Sequence, residues 1–206
     1  MNIGVIGAGN IGKNAARLFA RAGHQVAISS SKDPKTLQHL VAELGENVRA
    51  TTADEAVSFG EVVLLAVPWT KRQTLPAANL FVGKIVIDAL NPYGGNFQVE
   101  NLGNSTSSEE VAKQLPGARI VKAFNTMYFE TLRTGSRPDP NDRLVLFVAG
   151  DDAEAKKVVE NLIEQIGFTP VDTGSLHVGG RRQQPDSPIY NKPMNAAQAR
   201  QSLADL

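Results

Sequence analysis

The sequence predicts an α/β fold: a doubly wound, mostly parallel sheet with a short C-terminal extension. Three observations carry this expectation. Apolar runs alternate with amphipathic ones from residue 2 to about residue 172, the order expected of strand–helix units. The first apolar run stops at Gly7-Ala8-Gly9-Asn10-Ile11-Gly12, and an amphipathic run follows at once. The run at 61–67 is almost entirely apolar, as in a central parallel strand buried on both faces.

Bulk composition narrows the class further. At 206 residues the chain is one large domain, or a domain with a small appendage. Hydrophobic residues at 42% and charged residues at 20% fit a globular protein. Twenty-one basic side chains balance twenty-one acidic ones, with no block of like charge, which argues against nucleic acid or an anionic membrane as partner. There is no cysteine, so disulfides, thiolate metal sites and cysteine nucleophiles are excluded. A strand starting at Asn2 leaves no room for a signal peptide, and no apolar run reaches membrane-spanning length; a cytoplasmic location is expected.

The first strand, residues 3–6, feeds the glycine turn. Gly7 permits the tight turn, Gly9 lets backbone approach a pyrophosphate, and Gly12 lets the helix pack on the strand. Asn10 and Ile11 open that helix, residues 11–22, whose free N–H groups and positive dipole end suit phosphate. The unit is the opening of a Rossmann-type dinucleotide site. Gly23 ends the helix, and His24 is expected to be a surface loop residue. The second strand, 25–28, ends without the Asp or Glu that would bind an unphosphorylated ribose diol. Ser29, Ser30, Ser31, Lys32 and Lys35 stand there instead. Hydroxyls and ammonium groups suit the 2′-phosphate of NADP, so NADP is favoured over NAD. Asp33 or Ser31 caps the next helix, 34–44.

A short strand at 47–50 and a helix at 52–59 precede the apolar strand at 61–67. Ala66, Val67 and Pro68 lie at its carboxyl end, where ligands lie in such sheets. Trp69, the only tryptophan, either stacks near nicotinamide or anchors the chain. A strand at 84–88 leads to a polar loop in which Asn91 faces the nicotinamide ribose. Residues 96–108 read as irregular, with Ser107 or Ser108 capping a helix to 115. A strand at 118–124 carries Lys122, which must find partners inside an apolar run. Asn125 and Thr126 follow, either to read a carboxamide or to cap a helix. Residues 135–142 are turn-rich. A strand at 143–149, a helix at 153–166 and a last strand at 168–172 complete the domain, 1–182. The tail, 183–206, ends in a short helix at 195–206. The apolar strand 144–148 and the tail leave room for a homodimer.

The motifs GAGNIG, SSSK at 29–32, LLAVPW, the loop 88–92, VKAFNT at 121–126, LFVAGDD and DTGSL occur in consistent order. Together they resemble the NADPH-dependent deazaflavin (coenzyme F-420) oxidoreductase family, related to the cytoplasmic domains of the STEAP metalloreductases. The resemblance implies a single Rossmann-like domain with a small C-terminal portion over the hydride acceptor. It implies that Gly7, Gly9, Asn10 and Ile11 hold the pyrophosphate, and that Ser30, Ser31, Lys32 and Lys35 hold the 2′-phosphate. It places Ala66, Val67, Pro68, Asn91, Ala123 and Asn125 on the nicotinamide side. The family typically carries arginine in the phosphate loop, where this chain has Ser31-Lys32, and the tail, 183–206, matches none of the motifs that carry the resemblance.

The expected activity is hydride transfer between NADP(H) and a flavin or deazaflavin, a small-molecule acceptor. That chemistry stacks two rings and excludes water, which suits a sequence without a triad, a metal cluster or an evident general base. Reduction of a small carbonyl or imine is an alternative, disfavoured by the few residues after Asp172. A non-catalytic NADPH-binding regulatory module is another. His177, beside Arg181 and Arg182, either contacts an anionic acceptor or lies in a solvated turn.

Overall fold

The structure is a computed structural model describing residues 1–205; the last residue of the predicted C-terminal helix lies outside the described residues. The chain runs β1 (Asn2–Ile6), α1 (Asn10–Arg21), β2 (Gln25–Ser29), α2 (Gln38–Leu44), β3 (Val48–Ala50), α3 (Ala53–Phe59) and β4 (Val62–Leu65). It continues with β5 (Ile85–Asp88), α4 (Ser107–Gln114), β6 (Arg119–Lys122), α5 (Phe129–Thr134) and β7 (Val145–Gly150). It ends with α6 (Ala153–Gln165), β8 (Thr169–Gly174), α7 (Val178–Arg182) and α8 (Ala196–Ala204).

The eight strands form one sheet in the order β3-β2-β1-β4-β5-β6-β7-β8. All pair in parallel except β6 with β7. The chain leaves β3 at one edge and returns beside β1 as β4. The strand order reverses there, so a crevice opens at the carboxyl ends of β1 and β4.

Pleating sends alternate residues to opposite faces. On β4, Val62 and Leu64 join one core with α1, α2, α5 and α6, whereas Val63 and Leu65 join a second with α3 and α4. On β7, Leu146 and Val148 join the first core; Val145 and Phe147 pack instead on Ile189, Met194 and Ala199 of the tail. The strand that left room for a dimer contact is therefore interior, flanked by β6 and β8 and covered by the chain's own tail.

Local chemistry explains the boundaries. Thr52 and Thr106 each form a capping box, with Glu55 and Glu109. Thr106, not Ser107 or Ser108, is thus the cap of α4; the two serines turn inward to buried partners described below. Asp33 caps as expected, accepting from the Lys35 amide at 2.8 Å. The predicted helix 34–44 is split into a 3-10 turn at Pro34–Leu37 and α2. α5 and α7 were not expected. Each is under two turns long, too short for a periodic signal.

His24 corrects an expectation. It is 7% exposed and packs edge-on against Phe19. Its Nε2 donates to Gln165 Oε1 at 2.9 Å, and its Nδ1 lies 3.4 Å from the N-terminal ammonium. Burial first, then that ammonium, holds the imidazole below its ordinary 6.5, against the Gln165 bond. The unfolded chain therefore takes up a proton that the folded chain refuses. Stability is complete above about pH 6.5 and declines as pH falls toward the folded value. Urea midpoints are expected to drop between about pH 7.5 and about pH 5.5, and to drop less in His24→Gln. Equal drops in both proteins would show that His24 is not the group responsible.

Candidate functional site

The glycine turn is built by close packing on one side and open space on the other. Gly7 has φ +108°, and its amide donates to the Ser29 carbonyl at 3.0 Å. A Cβ on Gly7 would strike the Ala66 carbonyl, and one on Gly12 would strike the Gly7 carbonyl. These two glycines lock β1, α1 and the end of β4 together. Gly9 differs: a Cβ there would meet nothing within 4 Å. It is the N-cap of α1, with no side-chain cap and no acidic residue in the first turn. The helix dipole and the first-turn amides therefore face an uncovered surface. Asn10 is exposed beside it, and Ile11 packs partly into the core.

The loop after β2 forms the next wall. Ser29 is buried, its hydroxyl donating to the Val5 carbonyl at 3.3 Å. Ser30 Oγ accepts from the Lys32 amide at 3.2 Å, a local turn that presents Ser31 and Lys32 to solvent with Lys35. The Asp33 carboxylate beside them accepts from the Lys35 amide. Among the described residues, neither lysine has a carboxylate within ion-pair distance.

Farther along, Ala66 and Val67 are half-buried and Pro68 exposed at the end of β4. Trp69 is an anchor: it is 2% exposed, its Nε1 donates to Glu100 at 2.6 Å, and the Arg72 guanidinium lies 3.9 Å above its ring. Beyond β5 and β6, Asn91 and Asn125 pair reciprocally. Asn91 Nδ2 donates to the Asn125 carbonyl at 2.9 Å, and Asn125 Nδ2 to Asn91 Oδ1 at 3.0 Å. Phe124 takes φ +67° just before, an unfavourable conformation for a bulky side chain. It is held there by full burial against Phe19, so strain accompanies the turn that brings Asn125 to Asn91. Ala123 is fully buried in the core below, so it does not reach the trough surface.

Two further side chains, Tyr190 and Tyr93, and the Gln183 backbone carbonyl join this end unannounced. Asn125 also donates to the Gln183 carbonyl at 2.7 Å, and Asn91 to Tyr190 Oη at 3.3 Å. The Tyr190 and Tyr93 hydroxyls share a bond of 3.2 Å. Burial, then Tyr93, pushes the Tyr190 phenol well above its ordinary value, so it stays protonated. Nothing in the tail announced Tyr190, one of the three tyrosines of the chain.

Beneath the site lies a buried polar cluster. Register pairs Asp88 with Lys122, and both side chains are fully buried. Lys122 Nζ donates to the Leu90 carbonyl and Ser107 Oγ at 3.0 Å and faces Asp88 Oδ2 at 3.4 Å. Ser108 donates to that same oxygen at 2.5 Å, and the Leu90 amide to Oδ1 at 2.9 Å. Burial lowers the lysine's pKa and Asp88 opposes the shift.

A doubly wound sheet with a glycine-cradled helix N-terminus at its switch point is a Rossmann-type fold, and the cradle's donor set fits a dinucleotide. Residues 2–92 match the model of the family described as NADP oxidoreductase, coenzyme F420-dependent, and together with the relatives below this makes the chain a member of an NADP-dependent oxidoreductase family. A hypothetical protein from Sinorhizobium meliloti, solved by crystallography, is 32% identical, with a TM-score of 0.84 and 95% of each chain covered. A putative F420-dependent NADP-reductase from Arthrobacter sp. is 25% identical, with a TM-score of 0.75 and 88% of each chain covered. Metalloreductase STEAP3 of Rattus norvegicus is 34% identical over 84% of this chain. The chain spans only 34% of that relative's length. Among the described residues, no helix is long and apolar enough to cross a membrane.

Proposed function

We propose that the chain, acting in the cytoplasm, transfers hydride between NADP(H) and a planar ring acceptor of the flavin or deazaflavin type. The observation that carries this reading is the Asn91–Asn125–Tyr190–Tyr93 set beyond β5 and β6. These are neutral amides and phenols, groups that position and polarise a ring by hydrogen bonding. Hydride transfer between stacked rings asks for that positioning and for exclusion of water. Gly7, Gly9, Asn10, Ile11 and Gly12 would hold the pyrophosphate. Ser30, Ser31, Lys32 and Lys35 would hold the 2′-phosphate, with Ala66, Val67, Pro68 and Asn91 along the nicotinamide side. When bound, NADPH supplies the hydride; the chain supplies orientation. The balanced charge supports a small-molecule acceptor.

The Tyr190–Tyr93 pair favours a second reading, direct reduction of a small carbonyl or imine with a phenol as proton donor. One experiment separates the two. NADPH oxidation is followed at the nicotinamide band with riboflavin, FMN, FAD, a deazaflavin, and small ketones and cyclic imines. Ring acceptors are expected to turn over, and Tyr190→Phe to slow them less than about threefold. If carbonyls or imines turn over instead, loss of a general acid predicts a fall of roughly a hundredfold or more. Binding of NADPH without oxidation by any acceptor would leave a cofactor-binding module and reject both readings.

A further inference from the structure

The buried pair Asp88–Lys122 has no step in the transfer proposed above, yet it lies directly beneath it. Both side chains are fully buried, so neither offers a ligand any surface. Register makes them opposite members of the last rung between β5 and β6. Asn91 and Asn125 stand three residues further along the same two segments, where their amides bond across. Between the two levels the ladder has ended. The Leu90 backbone is held there by the charged side chains. Its N–H donates to Asp88 Oδ1 at 2.9 Å, and its carbonyl accepts from Lys122 Nζ at 3.0 Å. That carbonyl belongs to the rigid peptide plane that joins Leu90 to Asn91. The pair therefore sets the direction in which the chain delivers Asn91.

Stability does not account for the charges. Taking an ammonium and a carboxylate out of water is expensive, and apolar residues of similar volume are often as stable or more so. Apolar contacts are non-directional, however, and could not fix one peptide plane. Two serines of α4 complete the arrangement. Ser107 Oγ accepts from Lys122 at 3.0 Å, and Ser108 donates to Asp88 Oδ2 at 2.5 Å, so each charged group has a set orientation. On the β6 side, Asn125 is anchored by the buried Phe124 turn and by the Gln183 carbonyl at 2.7 Å. On the Asn91 side the corresponding anchor is the charged pair.

We infer that Asp88 and Lys122 are positioning residues: they clamp the Leu90–Asn91 peptide and so hold the Asn91 amide against the nicotinamide side of the cofactor. This rests on the reading that places Asn91 beside the nicotinamide ribose, and it adds the device that keeps it there.

Two ligands separate positioning from general support of the fold. NADP+ reaches the Asn91 side, whereas adenosine 2′,5′-bisphosphate carries the phosphorylated adenosine half alone. Both are titrated calorimetrically, with circular dichroism and urea midpoints read on each variant. Asp88→Asn/Lys122→Met removes both charges and the donor to Leu90. It is expected to weaken NADP+ roughly tenfold and the bisphosphate by less than about twofold, the scale of one misplaced hydrogen-bonding group. Asp88→Asn/Lys122→Gln is equally uncharged but keeps a donor at position 122, and is expected to stay within about threefold of wild type for both ligands. Ser107→Ala is milder: it leaves the ion pair and removes an acceptor that orients Lys122, and a selective loss of about threefold for NADP+ is expected. In an Asn91→Ala background, Asp88→Asn/Lys122→Met is expected to add less than about twofold, because the group it positions is gone. Equal weakening of both ligands, an unchanged NADP+ affinity, or effects additive with Asn91→Ala would overturn the clamp. Should the methionine variant not fold, the two-ligand ratio in Ser107→Ala decides. Asn91→Ala that shows no selectivity for NADP+ rejects the placement of Asn91 and the clamp with it. Selectivity in Asn91→Ala but in neither the methionine variant nor Ser107→Ala rejects the clamp alone. Failure of every ring acceptor to turn over would reject the proposed transfer and leave these binding ratios to decide the clamp.

Discussion

Lys122→Met is expected to destabilise the fold by about 3–5 kcal/mol, the cost of leaving one member of a buried ion pair without its partner. Asp88 would keep Ser108 and the Leu90 amide, but it would lose the cation that faces it in a fully buried site. Lys122 also spends hydrogen bonds on the Leu90 carbonyl and on Ser107, so truncation orphans those acceptors too. The double variant Asp88→Asn/Lys122→Met removes both charges. It should recover a large part of the loss, because the charged pair is worth far less than the penalty for breaking it. Urea unfolding of the two single variants and the double variant measures this as a double-mutant cycle. Additive losses would mean that the two groups act independently.

The cluster also shows what can be read from this sequence and what cannot. A lysine inside an apolar strand signals that a partner must exist. It does not say which carboxylate, because Asp88 is 34 positions away and register alone pairs the two. The glycine turn was legible because its chemistry is local: Gly12 answers to Gly7 and Gly7 to the end of β4, while Gly9 is left open. Ser107 and Ser108 show the limit of local reading. Both have cap chemistry, yet Thr106 takes that role because Glu109 completes its box, leaving the serines for the buried charges. His24 was misjudged for the same reason, since its partner Gln165 lies on α6. Tyr190 lies beyond such reach altogether. It comes from an aperiodic tail whose path is set by Ile189 and Met194 packing on β7.

Lys32→Asp is expected to raise the dissociation constant for NADPH by roughly a hundredfold, about 2.7 kcal/mol, while changing that for NADH by less than about threefold. Two effects add. A charge-assisted donor to the 2′-phosphate is lost, and a carboxylate is placed against it. The position is exposed, so salt screening limits each contribution; the combined figure assumes moderate ionic strength. The surroundings make the site sensitive. Asp33 already occupies the Lys35 amide, so it offers the new charge no relief, and Ser30 holds the Lys32 backbone in its turn. NADH carries no phosphate at this position and serves as the internal control. Fluorescence titration with both nucleotides, repeated at higher salt, measures the ratio. If both nucleotides weaken equally, the loop supports the fold without holding a 2′-phosphate. If the discrimination grows as salt falls, the attraction is electrostatic, and the Ser-Ser-Ser-Lys turn does by charge and hydroxyls what arginine does in the resembling family.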